Sequence, residues 1–157
     1  MELVVNEWLP DYLRPDATDE AKGQVEQFLN SFMKRPDILY VKDPSPFLDK
    51  VYKYQKAFDY DIKSREAIKM FIKLVLRNNP DKCIMVNVDE VKPLPDNTLE
   101  KLNEAGTNYN SDTYLFEAAN NTADKIIITT DTKLQKQMAD DEHFQVVLLE
   151  DFLNDYQ

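Results

Sequence analysis

The run Ile126-Ile127-Ile128 limits what this chain can fold into more than any other stretch. It is short, β-branched throughout, and flanked on both sides by polar residues. A strand apolar at every position, not at alternate ones, is expected to be buried on both faces, as in a parallel sheet covered by helices. Four further runs read as strands: Leu3-Val4-Val5, Ile38-Leu39-Tyr40-Val41, Cys83 to Asn87, and Phe144 to Leu149. Between them lie amphipathic stretches. Val25, Phe28, Leu29 and Phe32 keep the i, i+3, i+4, i+7 spacing of a helix. Leu48, Val51 and Tyr52 fall on one helical face, and so do Ile68, Phe71, Ile72 and Val75. Alternation of this kind predicts a three-layer α/β/α sandwich around a central, mainly parallel five-stranded sheet.

Local signals place the helix ends. Thr18 is the expected N-cap of the first long helix, with Asp19 and Glu20 in its first turn, where the helix dipole favours acids. Ser45 followed by Pro46 predicts the next helix start. Ser64 and Thr98 are read as caps of two more, Pro10 as the end of regular structure after the first strand, and Gly106 as a helix stop. Asp59 falls in an expected break between helices. No repeat, low-complexity segment or linker interrupts residues 1–157, so a single domain is expected.

Composition narrows the chemistry. No stretch approaches the roughly 18 apolar residues of a membrane span, and Met1 runs straight into Leu3-Val4-Val5 without a basic-then-apolar leader. A cytoplasmic protein away from membranes is expected. The single cysteine, Cys83, sits in an apolar strand, which argues against a disulfide framework or a cysteine-rich zinc site. The single histidine, His143, lies in a polar loop, so a histidine triad or a multi-histidine zinc site is excluded. Two glycines, Gly23 and Gly106, are too few and too far apart for a phosphate-cradling loop. With a net charge of −10, a broad basic surface for long nucleic acid is not expected. Divalent cations or a basic partner suit the same acidity.

Several acids follow strands: Glu7, Asp43, Asp89, Glu90 and Asp131. Asp49 and Asp112 lie near helix starts. Ligands of an open α/β sheet bind outside the carboxyl ends of its strands. Carboxylates gathered there repel one another unless a cation neutralises them. Hard cations such as Mg²⁺ and Mn²⁺ take oxygen ligands, commonly one or two carboxylates and several waters. Asp131 also suits the N-cap of the helix after it, Asp112 the positive end of a helix dipole, and Asp49 the solvent side of its helix.

The stretch Asn110-Ser111-Asp112-Thr113-Tyr114-Leu115-Phe116-Glu117-Ala118-Ala119, followed by Ala123 to Asp131, resembles the C-terminal half of a PIN domain. The shared pattern is an acid opening a helix, a small-residue helix, an apolar strand and a Thr-Asp exit. Val146 to Leu153 is similar to the family's last strand and its Asp-Phe close. The resemblance implies a PIN-like fold and a Mg²⁺- or Mn²⁺-dependent endoribonuclease, such as the toxin of a toxin–antitoxin pair. Asp112 and Asp131 match the family's third and fourth acids, and Asp49 best matches the second. All three are thereby implied as catalytic and metal-binding residues. The first acid falls on Asn6, a neutral and poorer ligand implied at the metal's edge, with Glu7 next to it. Adjacent strand residues point to opposite faces, so one of Asn6 and Glu7 is expected to face the pocket, and which of them does is open.

The resemblance implies Thr129 or Thr130 as orienting groups. Single-stranded RNA stacking on Trp8 or Tyr12 is a further expectation. Partners expected are RNA, an antitoxin or other protein, and a second copy in a homodimer. The alternative is a catalytically degraded PIN-like module that binds protein or RNA. A receiver-like phosphoacceptor domain fits less well, because strand three ends in Asn87 and Glu150-Asp151 follows strand five where a lysine is needed.

Overall fold

The structure, a computed structural model, describes residues 1–58, 60–104 and 112–157. Asp59, Gly106, Asn110 and Ser111, named above, lie outside the described residues.

Five parallel strands form one sheet: β1 (Glu2–Val5), β2 (Ile38–Asp43), β3 (Cys83–Asn87), β4 (Ile126–Thr129) and β5 (Gln145–Leu148), in the order β3-β2-β1-β4-β5. All five lie where the apolar runs predicted them. β1 pairs with β2 from Glu2 against Ile38, and with β4 from Leu3 against Ile126 to Val5 against Ile128. The fold class is α/β, with helices flanking the sheet.

Strand order fixes where the helices go. From β1 to β3 the chain moves toward one edge; from β3 to β5 it moves back past β1 toward the other. Right-handed crossovers therefore place the two sets of helices on opposite faces. The first set is α1 (Trp8–Tyr12), α2 (Asp19–Lys34), α3 (Pro46–Ala57) and α4 (Ile62–Phe71), which continues into a π-helical turn at Ile72–Leu76. Contacts of α1 with both α2 and α3, and of α3 with α4, agree with this. The second set is α5 (Asp96–Asn103), α6 (Thr113–Ala119) and α7 (Thr132–Gln137). Here α6 lies across β1, β2 and β4, and α7 packs on β5. The last helix, α8 (Leu149–Asp155), returns to pack against α2.

Burial explains the arrangement. Leu3, Leu39, Ile127 and Ile128 are fully buried in the sheet, and Leu115, Phe116 and Ala119 close it from α6. On the other face Phe28 stacks on Phe32 and Tyr156, with ring centroids 5.8 and 5.6 Å away, and meets Trp8 edge-on at 5.4 Å. Such pairs add to the burial of large rings. Cys83 is buried, as expected for a strand residue, and burial pushes its thiol up to about 12. His143 is exposed, 3.0 Å from the Asn120 side-chain oxygen.

The expected caps hold at Thr18, which accepts from Ala21 N, and at Ser45, which accepts from Leu48 N. Two others differ. Asp61, not Ser64, caps α4, by accepting from Ser64 N at 2.8 Å; its carboxylate is the better acceptor and lies three residues earlier. Thr98 is buried inside α5 and donates instead to Asp141 at 3.1 Å. Pro10 does not end regular structure. It sits within the first turn of α1, where its missing N–H is not required.

Candidate active site at the carboxyl edge of the sheet

The order in which the chain adds strands reverses between β1 and β4, the place where ligands of open α/β sheets bind. Asn6 continues the ladder there, its N–H donating to the Ile128 carbonyl at 3.0 Å. Its side chain is then committed. Nδ2 donates to Thr129 Oγ1 at 2.9 Å, and Oδ1 accepts from the Glu7 N–H. Thr129 is fully buried, and its hydroxyl oxygen also accepts from the Asp131 N–H at 3.0 Å. Asn6 and Thr129 thus stitch the ends of the two central strands together and set the backbone at Asp131. Asn6 thus acts as a positioning residue, and its Oδ1, which accepts one hydrogen bond, keeps one lone pair for the edge-of-metal role expected from its place in the sequence.

Asp131 is the N-cap of α7. Both of its cap bonds, from Lys133 N at 2.9 Å and Leu134 N at 3.1 Å, fall on Oδ1. Among the described residues nothing hydrogen-bonds Oδ2 of this half-buried carboxylate. Asp112 stands at the start of α6, which runs back toward the opening end of β4, so its N-terminus lies at the carboxyl edge. Its side chain makes no cap bond. Burial pushes the Asp112 carboxyl up to about 6, and the charges of Asp131 and Glu7 push in the same direction. Asp112, Asp131 and Glu7 therefore share one electrostatic neighbourhood.

Asn6 and Glu7 are not related by simple strand alternation, which left open which of them faces this edge. Strand alternation stops applying at Val5, because Glu7 is already in the right-handed helical region (φ −65°, ψ −4°) as the N-cap of α1. That turn brings its carboxylate to the same edge as Asp112. The buried Tyr114 hydroxyl donates to Glu7 Oε2 at 3.3 Å, and the Lys50 ammonium lies 3.5 Å from Oε1. Burial and the charge of Glu7 hold the Tyr114 hydroxyl far above its usual value, so it remains a donor.

Lys50 was not anticipated. It comes from α3 and donates to both oxygens of Asp11, at 3.1 and 3.0 Å, while Tyr54 Oη donates to Asp11 Oδ1 at 2.7 Å. Burial works against its charge, but the Asp11 bonds and the charges of Asp11 and Glu7 keep its ammonium above the usual lysine value.

Asp49, expected as the second acid, is exposed and shares no bond or ion pair with Asp112, Asp131 or Glu7 among the described residues. The cause is helical phase. Phe47, Leu48, Val51 and Tyr54 take the inward arc of α3, and Asp49 falls outside it. Asp43, Asp89 and Glu90 are likewise exposed. Thr130 is exposed beside Asp131. Trp8 cannot stack on RNA: it is 3% exposed, and Nε1 donates to the Ile128 carbonyl at 3.0 Å. Tyr12 is half-buried and borders a cleft of about 300 Å³ that also reaches Gln24, Thr130 and Thr132.

Among the described residues no three Asp, Glu, His or Cys side chains come close enough together to enclose a metal ion unaided. The donor chemistry still suits a hard cation, which needs only one or two carboxylates and completes its shell with water. Asp112 and Asp131 are the two carboxylates here that could supply such ligands, with Glu7 in the same electrostatic neighbourhood. Comparison of the chain with family models, with curated proteins and with solved structures finds no match.

Proposed function

We propose that this chain is a PIN-type endoribonuclease dependent on Mg²⁺ or Mn²⁺. The observation that carries the reading is the half-buried Asp112 at the switch point, whose carboxyl is raised to about 6 by burial first and then by the charges of Asp131 and Glu7. A buried carboxylate held against two others favours a cation that restores its charge. Asp112 and Asp131 would hold that cation. When bound, it supplies a more acidic water and charge stabilisation at an attacked phosphate. The chain's own residues do the rest. Asn6 and Thr129 fix the approach of Asp131, and Tyr114 orients Glu7 by its hydroxyl. The cleft at Tyr12, with Thr130 and Thr132 on its wall, gives a neighbouring base of single-stranded RNA a ring to stack on.

In the toxin–antitoxin form of this reading, the protein partner has a place to dock. A groove of about 440 Å³ runs between α2 and α4, with Met33, Met70 and Leu74 exposed along it. Exposed apolar grooves of this kind mark interaction sites. The chain would work in the cytoplasm, in keeping with the absence, among the described residues, of a helix long and apolar enough to cross a membrane.

One test is Mn²⁺ calorimetry together with cleavage of single-stranded RNA, comparing the wild-type chain with the Asp112→Asn, Asp131→Asn double variant. Saturable binding and cleavage, both lost in the double variant, are expected. Cleavage that survives in the double variant, or no binding at millimolar Mn²⁺, refutes the reading. The second reading, a PIN-like module that binds without cutting, is favoured by Asp49 facing solvent and by Glu7 being paired already.

A further inference from the structure

The helix that the PIN resemblance expects to supply an acid delivers a base instead. Lys50 follows Asp49 and points where Asp49 does not. Its ammonium bridges Asp11 and Glu7, at 3.0 and 3.5 Å. It is not a loose surface charge. Asp11 is held from its other side by Tyr54 Oη, and Tyr54 Oη in turn accepts from Arg14 Nη1 at 3.4 Å. Glu7 is held from its other side by Tyr114. The ammonium therefore sits in a frame anchored at both ends, between α1 and α3.

We infer that Lys50 is a built-in counter-ion that occupies Glu7 and holds it away from a divalent cation at Asp112 and Asp131, so that the resting edge offers such a cation two carboxylates and not three. This rests on the metal-binding reading of Asp112 and Asp131. One ammonium at Glu7 and one divalent cation at Asp112 repel each other across the same small edge. The affinity of the site is thus set by α3 as much as by the acids. Any event that draws Lys50 toward another anion, such as a substrate phosphate, releases Glu7 to the site.

The test is Mn²⁺ binding, by calorimetry and by loss of the free-ion electron paramagnetic resonance signal, in the full chain without RNA. Wild type, Lys50→Gln, Lys50→Arg, Lys50→Gln with Glu7→Gln, and the Asp112→Asn, Asp131→Asn double variant are compared. Lys50→Met serves as a second neutral variant, and thermal melts establish that each is folded. Lys50→Gln and Lys50→Met are expected to bind Mn²⁺ at least about tenfold more tightly than wild type. Lys50→Arg should stay near wild type, and Glu7→Gln should cancel the gain. Unchanged or weaker binding in the folded neutral variants overturns the inference, as does a gain that survives Glu7→Gln. The metal-binding reading is judged separately, by whether the Asp112→Asn, Asp131→Asn variant loses what wild type binds. Binding by wild type that Lys50→Gln leaves unchanged keeps that reading and removes the role of Lys50. No binding in any variant removes both.

Discussion

Asp112→Asn should make the metal-free protein more stable at neutral pH, although it removes a residue from the candidate active site. In the fold the Asp112 carboxyl titrates at about 6 rather than 3.8, because burial, Asp131 and Glu7 disfavour its charge. A rise of that size is worth about 3 kcal/mol between the two protonation states, and screening by water at this half-buried edge brings the expected figure to about 2–3 kcal/mol. The sign follows from linkage. Between pH 3.8 and about 6 the folded state holds more protons on this group than the unfolded state, so stability falls as pH rises through that window. Below it the carboxyl is neutral in both states and costs nothing. Asparagine is neutral throughout, and no side-chain cap bond is lost on substitution. The variant should therefore gain about 2–3 kcal/mol at pH 8, or roughly 2–4 °C in Tm per kcal/mol for a chain of this size, and almost nothing at pH 3.5. Urea unfolding followed by circular dichroism at both pH values, in the presence of a chelator, measures it. A gain equal at both pH values, or none at pH 8, refutes the reading of Asp112 as a carboxylate whose charge is disfavoured by burial and by its acidic neighbours.

Other substitutions separate structural from functional roles. Asp131→Ala should cost about 0.5–2 kcal/mol through the lost cap of α7, whereas Asp131→Asn should cost a few tenths; thermal melts at pH 7 distinguish them. Trp8→Phe keeps most of the ring and leaves the Ile128 carbonyl with the Asn6 N–H alone, so the lost indole bond should cost about 0.5–1.5 kcal/mol in urea unfolding. Cys83, with its thiol pushed up to about 12, should react with a thiol reagent at pH 8 only as fast as the chain opens, and at once when guanidinium unfolds it.

Periodicity and composition made the sheet legible, because burial leaves a mark on every residue of a strand. Ile126-Ile127-Ile128 could be nothing polar-faced, and Ser45-Pro46 could hardly open anything but a helix. The helix caps were legible only in part, because Asp61 and Ser64 compete within one turn and Thr98 is drawn away to Asp141, and only the packed structure decides. The candidate site was legible in part. Asp112 and Asp131 announced themselves by position. Glu7 did not, because the alternation rule holds only while the backbone stays extended, and the chain turns into α1 immediately after β1. Asp49 and Lys50 exchange roles through a rotation of one helical residue, smaller than the uncertainty of a helix phase read from spacing. Lys50 and Asp11 are 39 positions apart, and no local pattern signals their pairing.

The central strand is the first of the five along the chain. Asn6 and Thr129, whose side chains lock the two middle strands, are 123 positions apart. A growing chain thus carries β1 exposed on one side for most of its synthesis, and contacts this distant in sequence form slowly. No fragment that stops short of β4 can hold Asp112, Asp131 and Glu7 in register. Whatever this edge does to its target, a half-made copy cannot do it.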